Sequence, residues 1–123
     1  MDKQNTSYVP LEILKEYKNQ FDNQTGQYYP CSNQIVLCGI LTQDRNKALE
    51  FMRNKNIIGK REQFDRIIWI LDNGEKWMWC TWNENDRRGY RFYNLAVDRF
   101  IDINLFRSII PRCGRYCCSL EII

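Results

Sequence analysis

Apolar residues in the first part of the chain recur at the spacing of an α-helix. The stripe begins after Pro10, which can occupy the first helical turn. Residues 19–34 are rich in Asn, Gln, Gly and Pro and predict a long loop after the helix. The pattern predicts an amphipathic helix packed on a core, and its inward residues would be Leu11, Ile13, Leu14, Tyr17 and Phe21.

A continuous apolar run, QIVLCGIL at 34–41, predicts a buried strand. Thr42 or Asp44 can then cap a second helix that continues to about Lys55. On this helix the residues that face the core would be Ala48, Phe51 and Met52.

The segment DRIIWILDNGEKWMWCTW has two β-rich runs on either side of Asn73-Gly74. This dipeptide predicts a two-residue type I′ hairpin turn, which would fix the register of the strands. Both faces of the hairpin would be apolar, so we expect part of one face to be an oligomer interface or a ligand pocket. Counted outward from the turn, the predicted pairs are Ile70 with Trp77 and Ile68 with Trp79 on one face, and Trp69 with Met78 and Ile67 with Cys80 on the other.

Two further strands are predicted near the end of the chain, YRFYNLAV at 90–97 and the terminal RYCCSLEII. Between them Asp102 can cap a short helix over about 103–110, ended by Pro111. We expect residues 1–123 to form a single α+β domain with a mainly antiparallel sheet of about five strands and helices packed on it.

Composition restricts the location and the partners of the chain. Apolar residues make up 44% of it, which suffices for one core. No apolar run approaches the roughly 18 residues of a membrane span, and the first residues lack the layout of a secretory signal. We therefore expect a cytoplasmic protein without membrane contact. The net charge of +3 is small for a binder of duplex nucleic acid and suits a small anionic ligand better.

Six cysteines in a chain without an export signal predict buried thiols rather than disulfides. A four-thiolate zinc site is the alternative, because Cys113 and Cys117 are spaced C-x3-C and Cys31 and Cys38 could complete the set. The chain has no C-x2-C pair, and Cys118 would point away from its neighbour Cys117 in a strand. We expect no metal site.

Histidine is absent, which excludes Ser/His/Asp and Cys/His triads and histidine-bound metals. No glycine-rich phosphate loop occurs, and Asp98 and Asp102 are spaced for neither a metal cage nor an acid/base pair. A thiol nucleophile among neighbouring arginines, at Cys113 or Cys117, is the remaining enzymatic alternative. We expect no catalytic residues and no cofactor.

Aromatic rings and guanidinium groups are concentrated in the second half of the chain, and every basic residue beyond Lys76 is an arginine. Such a composition is typical of nucleotide binding, because a base offers a face for stacking and phosphates accept paired hydrogen bonds from arginine. The competing interpretation assigns the arginines to the solvated surface and the rings to the core, namely Trp77, Trp79, Phe92 and Phe100.

Residues 74–123, GEKWMWCTWNENDRRGYRFYNLAVDRFIDINLFRSIIPRCGRYCCSLEII, resemble the phage anti-Thoeris proteins of the first type, which sequester cyclic ADP-ribose signals. The resemblance rests on the W-x-W arm, the RGYRFYN strand, the VDRFID turn and the RYCCSLEII tail. It implies an anti-defence sponge that binds glycocyclic ADP-ribose, or cyclic oligonucleotides in some members, without cleaving it. It also implies a homo-oligomer, a dimer that can assemble into a hexamer.

Within this resemblance, residue chemistry alone assigns the ligand contacts. One of Trp82, Tyr90 and Phe92 would stack on the adenine, and Asn94 would bond the ribose or the base. Arginines would bind the phosphates through their planar donor fork. The predicted phosphate ligands are Arg91, Arg107, Arg112 and Arg115, and the predicted site also includes Arg87 and Arg88.

Two other binding functions could use the same side chains. A small protein-binding inhibitor or adaptor would use the Trp/Arg surface as its hot spot and bind no nucleotide. A binder of single-stranded nucleic acid would lose affinity steeply with added salt.

Overall fold

A computed structural model of the chain describes residues 7–24, 35–83, 91–113 and 117–123, with the backbone alone for 112 and 113. Within these residues the fold is α+β, as predicted. The elements in chain order are α1 (Leu11–Asp22), β1 (Val36–Leu41), α2 (Arg45–Met52), β2 (Ile57–Glu62), β3 (Arg66–Leu71), β4 (Glu75–Cys80), β5 (Asn94–Val97), α3 (Ile103–Cys113) and β6 (Ser119–Ile122).

All three helices lie where the sequence predicts them. Pro10 precedes α1, and the Asp44 side chain accepts a hydrogen bond of 3.0 Å from a backbone N–H in the first turn of α2. Asp102 caps α3 in the same way, with two bonds of 3.0 Å. The prediction that Pro111 ends α3 is wrong. Pro111 lies in the last turn of the helix, which continues to Cys113. None of these described helices combines the length and the apolar character that crossing a membrane requires.

The turn between β3 and β4 differs from the prediction. Asp72, Asn73 and Gly74 connect Leu71 to Glu75, so the turn has three residues, and the two-residue type I′ prediction is wrong. The Gly74 N–H donates to the Leu71 carbonyl at 3.3 Å, and the Glu75 N–H donates to Oδ1 of Asn73 at 3.0 Å. Gly74 has φ of 90°, a left-handed conformation that glycine adopts without a steric penalty and that three-residue hairpins use.

The extra turn residue shifts the hairpin register by one position, and the predicted pairs are therefore wrong. A slip of one residue moves every side chain of a strand to the opposite face relative to its partner. All three hairpin tryptophans of β3 and β4 thus share one buried face, and the other face is more polar than predicted. The observed pairs are Ile67 with Trp79 and Trp69 with Trp77 on the first face, and Arg66 with Cys80, Ile68 with Met78 and Ile70 with Lys76 on the second.

The six strands form one mixed sheet in the order β2-β3-β4-β1-β5-β6. Strands β2, β3 and β4 are antiparallel neighbours, whereas β4, β1, β5 and β6 run parallel. The prediction of a mainly antiparallel sheet holds for the first group and fails for the second. The reason is that β5 pairs in parallel with β1 and does not form a hairpin with β4. Helix α3 then connects β5 to β6, which makes these two strands parallel as well.

Strand β2 is the element that the sequence pattern does not predict. It carries the polar run KRE, most of its side chains are exposed, and it lies at the edge of the sheet. Its pairing with β3 is interrupted by a bulge between Ile57 and Gly59. A strand with so little buried surface leaves no alternation of apolar and polar residues to detect.

Strand β6 forms the opposite edge, and α1 covers it. The Lys18 ammonium donates to the Leu120 carbonyl at 2.8 Å, and Oδ1 of Asp22 accepts from the Leu120 N–H at 3.0 Å. The two side chains also pair with each other at 2.9 Å. Two charged groups of a helix thus occupy the backbone positions that a further strand would use.

The buried side chains form one apolar core around the sheet. At its centre the Phe92 ring lies directly on β1 at Gly39. A Cβ atom on Gly39 would come within 2.9 Å of two ring carbons, so glycine is the residue that permits this contact. The Trp82 ring packs edge-on against Phe92, with centroids 6.1 Å apart.

Candidate functional site

A groove of about 560 Å³ opens on the face of the sheet that α2 covers, between the C-terminal parts of α1 and α2. Its floor follows one row across the parallel strands, in which Trp77, Cys38, Asn94 and Ser119 are successive partners and Cys38 is fully buried beneath the groove. Side chains in such a row point to the same face. The parallel register thus brings together four positions from distant parts of the chain.

The floor is a connected hydrogen-bond network centred on Asn94. Its Nδ2 donates to Oε2 of Glu75 at 3.3 Å and to the Cys38 sulfur at 3.2 Å, while its Oδ1 accepts from the Ser119 hydroxyl at 2.7 Å. The indole N–H of Trp77 donates to Oε1 of Glu75 at 3.0 Å. The amide and the carboxylate are therefore held in fixed orientations before any ligand binds.

The walls of the groove each carry a lysine. Lys55, just beyond α2, places its ammonium 4.6 Å from the centre of the Phe51 ring and 5.2 Å from that of Trp77, within cation–π distance. Those two rings meet edge-on at 5.2 Å. Lys18 and Asp22 of α1 form the opposite wall. One lysine thus lies on each side of the polar floor, and that of α1 is paired with Asp22 at 2.9 Å.

The ionisable groups of the groove do not favour nucleophilic chemistry. Burial raises the pKa of the Cys38 thiol to about 12, although the hydrogen bond from Asn94 acts in the other direction. Cys38 is thus a neutral thiol at physiological pH. Burial also raises the pKa of Cys118. For Asp22, partial burial acts to raise the pKa, but hydrogen bonds from Lys18 and the Leu120 N–H outweigh it and the pKa is lowered.

The carboxyl ends of β1 and β5 meet at the opposite end of the sheet, where open parallel sheets usually bind ligands. Here the position is occupied by Asp98, which is only 7% exposed. Its carboxylate accepts from the Thr42 hydroxyl and the Lys47 ammonium, both at 2.6 Å, and from the Phe100 N–H at 2.9 Å. Burial acts to raise the pKa of Asp98, but these donors lower it overall. The network closes this end internally, which leaves the groove as the better candidate.

Two of the predicted stacking residues lie in the core. Trp82 is 6% exposed, and its indole N–H donates to the Ile40 carbonyl at 2.7 Å. Phe92 is fully buried against Gly39. A ligand could reach either ring only if the core opened. The competing interpretation, that the rings belong to the core, describes Phe92, Trp77 and Trp79 but not Phe100, which is 58% exposed.

The other predicted ligand residues are only partly described. Asn94 lies in the groove, whereas Arg91 and Arg107 are exposed at separate positions, before β5 and on α3. Of the predicted arginines, the structure describes the side chains of these two alone. The predictions that fall outside the described residues, or on a side chain that is not described, are Arg87, Arg88, Tyr90, Arg112 and Arg115.

Sequence reasoning missed most of the groove. Glu75 follows a turn, Lys55 lies beyond the end of α2 and Ser119 lies in the terminal strand, and no catalytic or phosphate-binding motif singles them out. The Asn-Gly signal located the turn beside Glu75, but an antiparallel arrangement gave no reason to place Ser119 next to Asn94. Only the parallel pairing of β5 with β6 does so.

The described part of the chain contains no group of three Cys, Asp or Glu side chains that could hold a metal ion. Cys38 and Cys118 are free thiols. The zinc alternative also involved Cys31 and the side chain of Cys113, which lie outside the described residues.

Comparison of the chain with family models, with curated proteins and with solved structures found no match. The resemblance of residues 74–123 to the anti-Thoeris proteins therefore stays a prediction, and the groove must be interpreted from its own chemistry.

Proposed function

We propose that this protein binds a small nucleotide in the groove and holds it without cleaving it, as a sponge for a signal such as glycocyclic ADP-ribose. The observation that supports the proposal most directly is the Asn94 network, a fixed set of hydrogen-bonding groups that faces an open groove between two lysines. Small-ligand sites combine a largely preformed cavity of roughly 300–1,000 Å³ with a few oriented polar groups.

Side chains of the groove are chemically suited to bind the ribose and the base of a nucleotide. Carboxylates commonly accept hydrogen bonds from ribose hydroxyls, and Glu75 is held by two N–H donors with acceptor capacity left. Ser119 adds a hydroxyl beside it. The half-buried ring of Phe51, which lies beside the Lys55 ammonium, offers apolar surface to a base.

Charge determines where the phosphates would lie. Acidic groups also line the groove, with Asp22, Glu75 and Glu121 against the two lysines. A free polyphosphate would therefore be poorly accommodated on the floor. We place the phosphates at the rim, near Lys55 and towards the exposed Arg91, which precedes Asn94 by three residues at the same end of β5.

Sequestration requires tight binding and no turnover, because a sponge lowers the free signal by mass action. The neutral Cys38 thiol supports this interpretation, since a protonated thiol is a weak nucleophile towards a phosphate or a glycosidic carbon. The role as an anti-defence sponge rests on the sequence resemblance, and the binding groove rests on the geometry.

The proposal is tested by ligand release. The purified protein is incubated with glycocyclic ADP-ribose and a panel of cyclic dinucleotides and trinucleotides, freed of unbound ligand, and heat-denatured, and the released compound is identified by mass spectrometry. We expect an intact nucleotide. Lys55→Met should retain about tenfold less, because it keeps the apolar stem over the rings but removes a charge-assisted contact.

The matched control is Lys15→Met, which removes an exposed α1 lysine outside the groove lining and should retain as much ligand as the wild type. Release of a cleaved product would instead identify an enzyme. Failure to retain any nucleotide would contradict the proposal and favour the protein-binding alternative.

A further inference from the structure

A second groove, of about 350 Å³, lies on the β2–β4 part of the sheet, and we call it the hairpin groove. Lys76 of β4 lines it, whereas the next residue, Trp77, belongs to the floor of the first groove. Since neighbouring side chains of a strand point to opposite faces, the two grooves lie on opposite faces of the sheet. The hairpin groove is lined by Gly59, Lys60, Arg61, Ile68, Ile70 and Lys76.

The floor of the hairpin groove is apolar and partly open to solvent. Ile68 and Ile70 share one face of β3, and Ile70 is 36% exposed. Gly59 of β2 is the cross-strand partner of Ile70 and brings no side chain to the floor. A Cβ atom on Gly59 would lie at an ordinary contact distance of 3.6 Å from the Ile70 Cβ, so a larger side chain would occupy this space. Glycine thus leaves a notch beside Ile70 with room for an apolar side chain from outside.

The rim of the hairpin groove is basic. Arg61 of β2 and Lys76 of β4 lie on either side of β3, and their strands are about 10 Å apart. Within the described part of the chain, neither side chain forms an ion pair. No acidic side chain is among the described residues that line the groove, in contrast to the first groove with its three carboxylates.

The two faces of β2 differ in charge balance. On one face, the Lys60 ammonium pairs with Glu62 at 2.9 Å, and Arg45 pairs with the same carboxylate. On the other face, Arg61 lacks such a partner, and Arg66, exposed at the start of β3, adds a further positive charge. Positive charges on one face repel one another, and an acidic partner relieves that repulsion.

We propose that the hairpin groove binds an acidic segment of a partner protein, which inserts one apolar side chain into the notch. Carboxylates on both sides of this anchor would then pair with Arg61 and Lys76, because an apolar pocket with a basic rim is complementary to an apolar anchor flanked by acidic residues. No aromatic ring is among the described residues that line the groove, so it offers no platform for stacking nucleic-acid bases. A lipid surface fits less well, because the isoleucines lie at the bottom of a groove and do not protrude.

Peptide binding tests the proposal. A fluorescein-labelled peptide, GSEELFEEGS, supplies an apolar anchor between glutamates, and its binding to the full chain is followed by fluorescence polarisation. Two control peptides separate the two contributions, since KKLFKK in the same frame reverses the charge and EESSEE removes the anchor. We expect the acidic peptide to bind, and each control peptide to bind at least about tenfold more weakly.

Three variants of the chain locate the binding site. Arg61→Glu and Lys76→Glu should each weaken binding of the acidic peptide about tenfold, because an attractive pair becomes a repulsive one. Gly59→Val should weaken it to a similar extent without a change in charge, because the stiff branched side chain fills the notch. Gly59 does not have a left-handed φ and valine favours strands, so this variant should fold at least as stably as the wild type. The matched control is Lys15→Glu, on an exposed lysine of α1 outside the groove lining, and it should bind like the wild type.

Thermal unfolding verifies that each variant folds, and each should retain nucleotide as the wild type does, because the first groove lies on the other face. The proposal is refuted if the acidic peptide does not bind, if the basic peptide binds equally well, or if Gly59→Val leaves the affinity unchanged. Binding of the protein to phosphatidylserine vesicles without binding of the peptide would identify a membrane surface instead.

Discussion

The contact between Phe92 and Gly39 allows a direct test of whether Phe92 is a core residue or a ligand platform. A Cβ atom added at Gly39 would lie 2.9 Å from two carbons of the Phe92 ring, closer than carbon atoms approach without strain. The ring is fully buried, with Trp82 packed against it, so it cannot swing aside without disturbing the core. Gly39→Ala should therefore overpack the centre of the sheet.

The expected magnitude follows from two opposing effects. Overpacking a filled core costs about 1–3 kcal/mol. Replacing glycine in a conformation that alanine can adopt restricts the unfolded chain and returns about 0.4–1 kcal/mol. Gly39 is not in the left-handed region, so this gain applies. We expect Gly39→Ala to lower the free energy of unfolding by about 1–2 kcal/mol.

The assay is urea unfolding followed by tryptophan fluorescence, applied to a double-mutant cycle. Phe92→Leu removes part of the ring and should lose stability alone, but it makes space for the methyl group that Gly39→Ala adds. The double variant should therefore be more stable than the sum of the single changes predicts, by about 1 kcal/mol. Additive effects, or a neutral Gly39→Ala, would refute the close contact. Loss of nucleotide retention in a fully stable Phe92→Leu would instead support a role in stacking.

Two further predictions concern buried ionisable groups. Asp98→Asn should cost about 1–3 kcal/mol at neutral pH, because a charge-assisted bond to Lys47 is lost. The folded-state pKa of Asp98 is lowered, so the stability it contributes is present above its unfolded value of 3.8 and is lost as the pH falls through the folded value. The difference between wild type and Asp98→Asn in urea unfolding should therefore shrink below about pH 4, and a constant difference would contradict the assignment. The high pKa and burial of Cys38 predict that iodoacetamide at mildly alkaline pH modifies it far more slowly in the native protein than in urea, as peptide mass spectrometry would measure, and equal rates would show that the site is open.

Local signals predicted the helices well and the pairing of strands poorly. Asp44 and Asp102 cap helices because a short carboxylate satisfies the first free N–H groups, and that requirement is visible in the sequence. The turn at Asn73-Gly74 was located correctly, but its length was wrong. In the three-residue turn the Asn73 side chain accepts a hydrogen bond from the Glu75 N–H, and no residue type in the segment distinguishes this turn from the shorter one.

The candidate site was less predictable because it depends on parallel pairing. Asn94 was selected for its amide, and it does lie in the groove. Its partners Glu75 and Ser119 come from β4 and β6, and their proximity follows from the position of β1 between β4 and β5. Nothing in the local sequence encodes that order. Trp82 was selected for its ring, but its indole N–H is satisfied by the backbone of β1, a contact that only the packed structure reveals.

The cover that α1 gives β6 limits how the sheet can grow. Lys18 and Asp22 form hydrogen bonds with the backbone carbonyl and N–H of Leu120, so a further strand cannot pair with this edge at that residue. A fibril grows by strand pairing only if both edges of the sheet in each molecule are free to pair. A sheet with one covered edge cannot add strands on both sides and therefore cannot extend indefinitely. The cover that α1 gives β6 therefore prevents the sheet from growing by strand addition at this edge.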